Sequence, residues 1–399
     1  MWYFYSPSII YGEESVDFLQ NITGEKCFIV TDKIIEKLGY LKILTDKLEK
    51  FGKIYEIFKE VIPDPREEGV LIAREQCISY APDLIIALGG GSVIDTAKTV
   101  WALYEFPEIT IDDIHSFNNK LYDIGKRSKF IAIPTTSGTG SETTNAAIIS
   151  RLDHDIWKKF IYTHRGMTPT YAIVDPIFPL GMPPKLTVDT GFDALSHAIE
   201  AMVSNWRNEF SYAIGLKSIE LVFKYLPIAY KDGKNKEARD YLHQAATMAG
   251  LAFSNSQLHI GHGMGHSWGA VFETAHGRAV GIILPYVTQF LLNNPDERDN
   301  TIEIYAKMAK QLGWVNWDEK EGKAAFLIID KIRQLQKKVD FPMKLKDLGI
   351  SREDLEKNLD SLVSCCFEDA TVVMSPRSIT DEYFRNLFDY AFEGKDVDF

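Results

Sequence analysis

The chain has 399 residues, which is long enough for two domains, and its composition of 45% hydrophobic and 25% charged residues is ordinary for a globular protein. Its net charge of −12 argues against a nucleic-acid-binding protein, which would show a basic stripe. The N-terminus lacks the pattern of a signal peptide, and no stretch approaches the roughly 18 apolar residues of a membrane span, so we expect a soluble cytoplasmic protein.

In the first half of the chain, short apolar runs alternate with helical patterns. This alternation predicts a parallel sheet with helices on its faces. We therefore expect an α/β dinucleotide-binding domain over residues 1–182. The runs that indicate buried strands are residues 26–30, 53–58, 84–88, 130–134 and 171–175.

Asp32 follows the first of these runs. A carboxylate at the end of this strand can accept hydrogen bonds from the adenosine ribose hydroxyls, and it would repel a 2′-phosphate. Asp32 therefore favours NAD(H) over NADP(H). The alternative interpretation is that Asp32 only caps the helix that follows.

A glycine-rich turn follows the third run and opens a predicted helix. Its residues are Gly89, Gly90, Gly91 and Ser92. Glycine lets the backbone approach a ligand closely, and a helix N-terminus attracts an anion. The turn is not the usual Gly-x-Gly-x-x-Gly fingerprint, so a tight structural turn remains the alternative to a phosphate site.

A second polar loop, residues 134–142, follows the fourth run, and seven of its nine residues are small or hydroxylated. Ligands bind at the carboxyl ends of the strands in doubly wound sheets. Two such loops after adjacent strands favour a dinucleotide site over a solvent loop that only caps a helix at Ser141.

Proline and glycine crowd residues 176–184, which predicts a domain boundary. The patterns beyond it are long and helical, at about residues 188–204, 209–225 and 236–254. We therefore expect an all-α domain over residues 183–399, carrying the metal and the catalytic residues.

The histidine distribution predicts a metal site. Of the nine histidines, four fall within the eighteen residues 259–276. Asp193 and His197 are four residues apart on a predicted helix, so their side chains share one face. Imidazole suits iron, zinc and nickel, and a carboxylate adds a charged ligand.

Spacing alone leaves two ligand sets open. One is a single-face set of His259, His262 and His266, with His276 spare. The other set is Asp193, His197, His262 and His276. We prefer the second set, because it leaves His266 beside the metal as the acid/base group that a dehydrogenase needs.

At these motifs the chain resembles the iron-containing (group III) alcohol dehydrogenase family. The resemblance runs from the N-terminus to about residue 290 and more loosely to the end. The matching segments are residues 89–98, 134–142, 191–200 and 262–266, with His276-Gly277.

The resemblance implies a dehydroquinate synthase-like architecture, in which a Rossmann-like domain and a helical metal-binding domain flank a cleft. It implies a metal, Fe²⁺ or alternatively Zn²⁺ or another divalent ion, and a homodimer or higher homo-oligomer in which residues 2–10 pair across the interface. The implied metal ligands are Asp193, His197, His262 and His276. The implied cofactor contacts are Gly90, Gly91 and Ser92 for the pyrophosphate, Thr135, Thr136 and Thr139 for the nicotinamide side, and Lys159; Asp32 falls where NAD-preferring relatives carry an aspartate.

The chain departs from the family pattern in the metal segment. Gly265 and Ser267 flank His266 where the family usually has Met-Ala-His-Pro, and Ala275 stands where proline commonly precedes the last ligand. His259 and Glu273 are additions. The substrate therefore cannot be copied from the lactaldehyde, propanediol or butanol enzymes of the family.

Our hypothesis is hydride transfer between a nicotinamide cofactor and a small alcohol or aldehyde, with the metal as a Lewis acid on the substrate oxygen and His266 as proton relay. Two alternatives share the fold, a glycerol-type dehydrogenase and a dehydroquinate synthase-like lyase. The lyase needs a basic pocket, and Arg278 is the main basic residue close in sequence to His276. A non-catalytic metal- or nucleotide-binding module is the alternative from another class.

Overall fold

The structure is a computed structural model that describes residues 3–153, 156–294 and 300–399. It divides into two compact units. The first comprises Met1–Met182 and Arg239–Ser254, and the second comprises Pro183–Ala238 and Asn255–Phe399.

Eight strands lie in the described residues of the first unit. They are β1 (Ser8–Tyr11), β2 (Lys26–Val30), β3 (Ile54–Phe58), β4 (Leu84–Gly89), β5 (Lys129–Pro134), β6 (Ala146–Asp153), β7 (Ile156–Thr163) and β8 (Tyr171–Val174). Six form a parallel sheet in the order β1-β8-β5-β4-β2-β3, and β6 and β7 form a separate antiparallel hairpin. The five predicted strands are confirmed to within one residue at each end.

Alternate residues of the strands belong to two hydrophobic clusters, one on each face of the sheet, because successive side chains of a strand point to opposite faces. Phe28 and Val30 of β2 belong to one cluster, and Cys27 and Ile29 belong to the other. Helices α3 (Glu67–Tyr80) and α4 (Gly91–Glu105) contribute to the first cluster, and α2 (Tyr40–Lys50) contributes to the second. Both faces of the sheet are therefore covered, as a parallel sheet requires.

The second unit is helical, which confirms the predicted all-α character. Its α5 (Pro184–Val203) packs against α6 (Glu209–Lys231) and α9 (His276–Leu292), and α8 (Ile260–Phe272) packs against α9 and α12 (Arg352–Glu368). Nearly every residue of α5 from Thr187 onward is buried, so this helix forms the centre of the unit. The helices after α4 are α5 (Pro184–Val203), α6 (Glu209–Lys231), α7 (Lys236–Ser254), α8 (Ile260–Phe272), α9 (His276–Leu292), α10 (Thr301–Gln311), α11 (Glu321–Lys338), α12 (Arg352–Glu368) and α13 (Asp381–Glu393); α1 is the short helix Lys33–Lys37.

Most of α7 belongs to the first unit, which differs from a division into two continuous segments at residue 182. The cause is close packing: a Cβ on Gly250 would lie 2.4 Å from the carbonyl oxygen of Gly140. Thr247 also donates to Glu142 Oε1 at 2.7 Å. These contacts join residues more than a hundred positions apart, so a local composition shift does not predict them.

Within the described ranges, no helix is long and apolar enough to cross a membrane.

Candidate active site

The two polar loops of the first unit begin side by side. Strands β4 and β5 are in parallel register, which pairs Gly89 with Pro134, and the Thr135 amide donates to the Gly89 carbonyl at 3.0 Å. Since parallel strands end at the same edge of a sheet, the loop residues proposed for the cofactor meet there. These residues are Gly90, Gly91, Ser92, Thr135, Thr136 and Thr139.

The glycines let these two loops touch. Gly90 is the N-cap of α4, and a Cβ on it would lie 3.3 Å from the Thr136 side chain. A Cβ on Gly91 would lie 2.9 Å from Thr139 Cγ2. Any larger residue at position 91 must displace Thr139. The N-terminus of α4, with its unpaired amides, therefore faces a loop rich in hydroxyl groups.

A buried polar network joins α4 to the second loop. Asp95 Oδ1 accepts a hydrogen bond from Ser141 Oγ at 2.6 Å, and Lys98 Nζ donates to Thr144 Oγ1 at 2.8 Å. Burial lowers the pKa of Lys98 to about 8 although the Asp95 carboxylate opposes that change. A role for Lys98 was not evident from the sequence, and the network explains how the loop is held on the helix.

Asp32 and Lys159 each have a partner in the first unit. Asp32 is the N-cap of α1, and its Oδ1 accepts from the amides of Ile34 at 2.7 Å and Ile35 at 2.9 Å. The capping interpretation of Asp32 is therefore correct as a description of its contacts. Lys159, on β7, pairs with Asp64 Oδ1 at 2.5 Å.

A cavity of about 320 Å³ opens at the carboxyl end of β3. Most of its lining is apolar and includes Phe58, Val61 and Ile62, and the Arg66 guanidinium lies over the Trp157 ring at 4.1 Å. Strand β3 is the neighbour of β2, which ends before Asp32. The cavity is therefore at the end of the sheet where Asp32 also lies.

Four predicted metal ligands converge in the second unit. Asp193 and His197 lie one turn apart on α5, His262 lies on α8, and His276 is the first residue of α9. One donor atom from each lies within 4.8 Å of those of the others. His276 Nε2 is 3.3 Å from Asp193 Oδ1, and the rings of His197 and His262 stack with centroids 4.5 Å apart.

The charges at this cluster favour an ionised Asp193 and neutral rings at the buried His197 and His262. Burial alone would raise the pKa of Asp193, but the imidazoles of His197 and His276 outweigh burial and hold that pKa well below its usual range. Burial lowers the pKa of His197 to about 3, and it also lowers the pKa of His262 well below its usual value. The buried imidazoles are thus neutral, which is the state in which histidine binds a metal.

Two buried atoms indicate that this cluster fits a cation. Asp193 Oδ1 and His262 Nε2 have no hydrogen-bond partner in the described part of the chain. Buried polar atoms are rarely left unsatisfied, so these two acceptors fit an ion as their partner. A donor set of three imidazoles and one carboxylate suits Fe²⁺ and Zn²⁺.

Glu200 contacts the His262 ring on the side opposite the unpartnered Nε2, and reasoning from the sequence did not identify this residue. Its Oε1 lies 2.7 Å from His262 Nδ1, and its Oε2 accepts from the His259 amide at 2.9 Å. Burial raises the pKa of Glu200, and the nearby His259 opposes that rise. The available signal was local, since Glu200 lies one turn after His197 on α5.

His266 is outside the four-residue group. Its Nδ1 lies 2.7 Å from Asp369 Oδ2, and its ring stacks on that of His276 with centroids 4.9 Å apart. Burial would raise the pKa of Asp369, but the hydrogen bond from His266 outweighs burial and lowers that pKa. Asp369 lies 103 positions from His266, and no local pattern identified it. Among the described residues, the donor atoms that converge are those of Asp193, His197, His262 and His276, and the group does not include His259 or His266.

The family departures have local structural roles. Ser267 Oγ donates to the Leu362 carbonyl at 2.6 Å. Glu273 is the C-cap of α8 and adopts a left-handed φ of 50°, and Ala275 is the N-cap of α9. His259 is the N-cap of α8, and its Nδ1 is 3.3 Å from Glu200 Oε2.

Two family models match the chain. Residues 6–176 match the model described as "Iron-containing alcohol dehydrogenase", and residues 187–392 match "Fe-containing alcohol dehydrogenase family, C-terminal". The chain belongs to the iron-containing alcohol dehydrogenase family. It is thus an oxidoreductase of the alcohol dehydrogenase type that uses a nicotinamide cofactor, and the predicted family and fold are confirmed.

Similar proteins support this membership along the whole chain. The NADPH-dependent butanol dehydrogenase of Clostridium saccharobutylicum is 36% identical over 98% of each protein. A solved 1,3-propanediol oxidoreductase has a TM-score of 0.89 at 27% identity and covers 98% of this chain and 100% of its own. An aldehyde-alcohol dehydrogenase of Streptococcus pneumoniae is 35% identical over 97% of this chain, which spans only 46% of that protein. The family models give no support to the lyase or glycerol-type alternatives.

Proposed function

We propose that this family member is a metal-dependent alcohol dehydrogenase that moves a hydride between NAD(H) and a small alcohol or aldehyde. The observation that carries the proposal is the convergence of one carboxylate and three imidazoles around the unpartnered His262 Nε2. The first unit acts as the dinucleotide-binding domain, and the second unit acts as the metal-binding and catalytic domain. The proposed ligands are Asp193, His197, His262 and His276.

A divalent metal held by these four residues, Fe²⁺ or alternatively Zn²⁺, would supply Lewis-acid polarisation of the substrate oxygen. His266 serves as the proton relay. Its Nδ1 is engaged by Asp369, so Nε2 is the nitrogen that exchanges a proton. His266 is more exposed than the buried His262, which supports a route for that proton to solvent.

The cofactor contacts follow from the loops at the sheet edge. The amides of Gly90, Gly91 and Ser92 at the N-terminus of α4 bind the pyrophosphate. The hydroxyl groups of the second loop orient the nicotinamide side, and Lys159 of β7 makes a further contact. The hydroxyl-bearing residues are Thr135, Thr136 and Thr139.

The preference for NAD(H) over NADP(H) rests on Asp32 and its acidic surroundings. Lys33 pairs with Glu60 at 2.5 Å, and Lys59 pairs with Glu36 at 2.7 Å, so both lysines already have a carboxylate partner. The Asp32 carboxylate would repel a 2′-phosphate. The similar Clostridium enzyme is named NADPH-dependent, so this preference needs a direct test.

The variant Asp32→Asn provides that test, because asparagine still caps α1 and removes only the charge. We expect the ratio of kcat/KM with NADH to kcat/KM with NADPH to fall about tenfold, which corresponds to about 1.4 kcal/mol. An unchanged ratio would remove Asp32 as the determinant.

The proposed substrates are short primary alcohols and their aldehydes, since the similar proteins are named for butanol and 1,3-propanediol. The chelated protein is loaded anaerobically with Fe²⁺ or Zn²⁺, and the absorbance of NADH or NADPH is followed with butanal, propanal and 3-hydroxypropanal. Metal-dependent consumption of NADH supports the proposal and ranks the substrates. A protein that binds metal and consumes neither cofactor with any aldehyde would contradict it.

We also propose a cytoplasmic homodimer or higher homo-oligomer that pairs through β1, which is an edge strand of the sheet. Trp2 of the predicted pairing segment lies outside the described residues. The Ser8 amide donates to the Thr170 carbonyl and the Gly12 amide donates to the Val174 carbonyl, each at 3.1 Å. Because the amides of a strand alternate in direction, the Ile9 amide points away from β8. Ile9→Pro should therefore break a strand pair across the interface and keep β1 on the sheet. Light scattering that gives a monomer for the natural protein would overturn the proposal.

A further inference from the structure

We propose that Glu200 is the positioning residue of the metal centre, and that Gly261 provides the space that Glu200 needs. This inference rests on the proposed metal-dependent function. It assigns a role to two residues that do not themselves contact the metal.

The ring of His262 is oriented by the Glu200 carboxylate. Glu200 is fully buried, and its Oε1 lies 2.7 Å from His262 Nδ1. A carboxylate only accepts hydrogen bonds, so Nδ1 carries the proton of the neutral ring. The lone pair is then on Nε2, which is the buried nitrogen without a partner in the described chain. Glu200 thereby selects the tautomer in which Nε2 can bind a metal.

The start of α8 depends on the same carboxylate. The N-cap residue, His259, makes no side-chain capping hydrogen bond. Instead, Glu200 Oε2 accepts from the amides of His259 at 2.9 Å and His262 at 3.4 Å. The carboxylate thus satisfies amides that a helix start leaves unpaired, and it meets the positive end of the helix dipole.

These two tasks together require a carboxylate. One oxygen accepts from an imidazole and the other accepts from backbone amides, so both positions must be acceptors. A glutamine at position 200 has one acceptor and one donor group. Either the ring of His262 or the start of α8 would then face a donor.

Gly261 is the third part of this arrangement. It is the second residue of α8, and a Cβ on it would lie 2.4 Å from Glu200 Oε1. No real Cβ approaches an oxygen that closely, so a side chain at position 261 must push the carboxylate away from His262. The pattern Gly-His at 261–262 is therefore a spatial requirement of Glu200.

The main test is Glu200→Gln with Co²⁺ as the probe, because the visible absorption bands of Co²⁺ report on its ligand field. We expect the affinity for Co²⁺, measured by competition with a chelator, to fall about 10–100-fold, together with a change in the bands. The KM for the cofactor should stay the same. The matched control is Glu105→Gln in the first unit, where a buried glutamate also accepts from backbone amides and Co²⁺ affinity should not change.

The second test is Gly261→Ala. Alanine favours a helix more than glycine, so a purely local effect would stabilise α8. We expect weaker Co²⁺ binding in spite of that gain. Gly322→Ala is the matched control, because Gly322 is the second residue of α11 and a Cβ added there would have no neighbouring atom within 4 Å.

The outcomes separate this inference from the proposed function. If the natural protein binds no metal, the proposed function fails. If it binds metal and is active, but Glu200→Gln and Gly261→Ala bind Co²⁺ with unchanged affinity and spectra, only the positioning role is wrong. If Glu200→Gln does not fold, Gly261→Ala decides the question.

Discussion

The two candidate sites of this alcohol dehydrogenase are built in opposite ways. The candidate cofactor site lies where the loops after β4 and β5 meet at the edge of the sheet, and we call it the nucleotide edge. It uses backbone amides in place of side chains, because Gly90 and Gly91 have no side chain. The candidate metal centre of the second unit is formed by four side chains from three helices, α5, α8 and α9. We expect the first site to bind after the loss of one contact and the second to need each donor in place.

The difference also appears in the electrostatics. At the nucleotide edge, a helix N-terminus and hydroxyl groups would bind the proposed cofactor without any change of protonation. At the candidate metal centre, burial keeps His197 neutral, with its pKa lowered to about 3, which is the state that binds a metal. We therefore expect graded effects on cofactor affinity from the first site and near-complete losses from the second.

The largest effect should come from His262→Ala. This variant removes a proposed ligand, so metal affinity should fall by more than the roughly 100-fold that changes around a metal site reach, and activity should be lost. Metal analysis after anaerobic loading measures the first effect, and the reductase assay measures the second. A variant that keeps its metal would overturn the ligand assignment.

His266→Ala should separate chemistry from metal binding. Loss of a proton relay should lower kcat by about 100-fold or more, because general acid–base groups contribute that much, whereas bound metal should stay the same. Steady-state kinetics and metal analysis on the same sample check both statements. Loss of the metal in this variant would favour the ligand set that includes His266.

Gly91→Ala should give an intermediate effect at the nucleotide edge. The new Cβ would be 2.9 Å from Thr139 Cγ2, and such overpacking costs about 1–3 kcal/mol, so we expect the KM for NADH to rise about tenfold. Metal content should not change. Gly322→Ala again serves as the control, and equal KM values for the two variants would show that the close approach is irrelevant.

Asp369→Asn should give the smallest effect. Asparagine can still accept from His266 Nδ1, but the bond is no longer charge-assisted, which costs about 1 kcal/mol and lowers kcat about fivefold. Comparison of kcat at saturating aldehyde checks this value. An effect as large as that of His266→Ala would mean that the charge of Asp369 is itself required.

Much of the fold was predictable because its signals are local. The apolar runs at residues 26–30 and 84–88 predicted β2 and β4, since parallel strands are buried on both faces. Such runs did not predict the edge strand β1, which has only four residues and is partly exposed, or the hairpin β6–β7, where charged residues such as Arg151 and Lys159 interrupt the apolar pattern. The long helical patterns likewise predicted α7 at residues 236–254.

The nucleotide loops and the metal residues were also proposed from local spacing. Asp193 and His197 share a helix face by their four-residue separation alone, but spacing could not choose between two ligand sets. That choice depended on how α8 and α9 pack around α5. Glu200 lies close to His197 in the sequence, but its contact with His262, like the contact of Asp369 with His266, required the same packing information.

The sequence by itself determined the alternating first half, the helical second half, the glycine turn and the residue types able to bind a metal. These follow from hydrophobic period, turn chemistry and short spacings, which act over a few residues. Only the tertiary structure decided which imidazoles share a cluster, that α7 joins the first unit, and that one carboxylate holds both His262 and the start of α8. Those decisions depend on contacts across 59 to 105 positions, from Glu200 with the His259 amide to Glu142 with Thr247, and no local pattern encodes them.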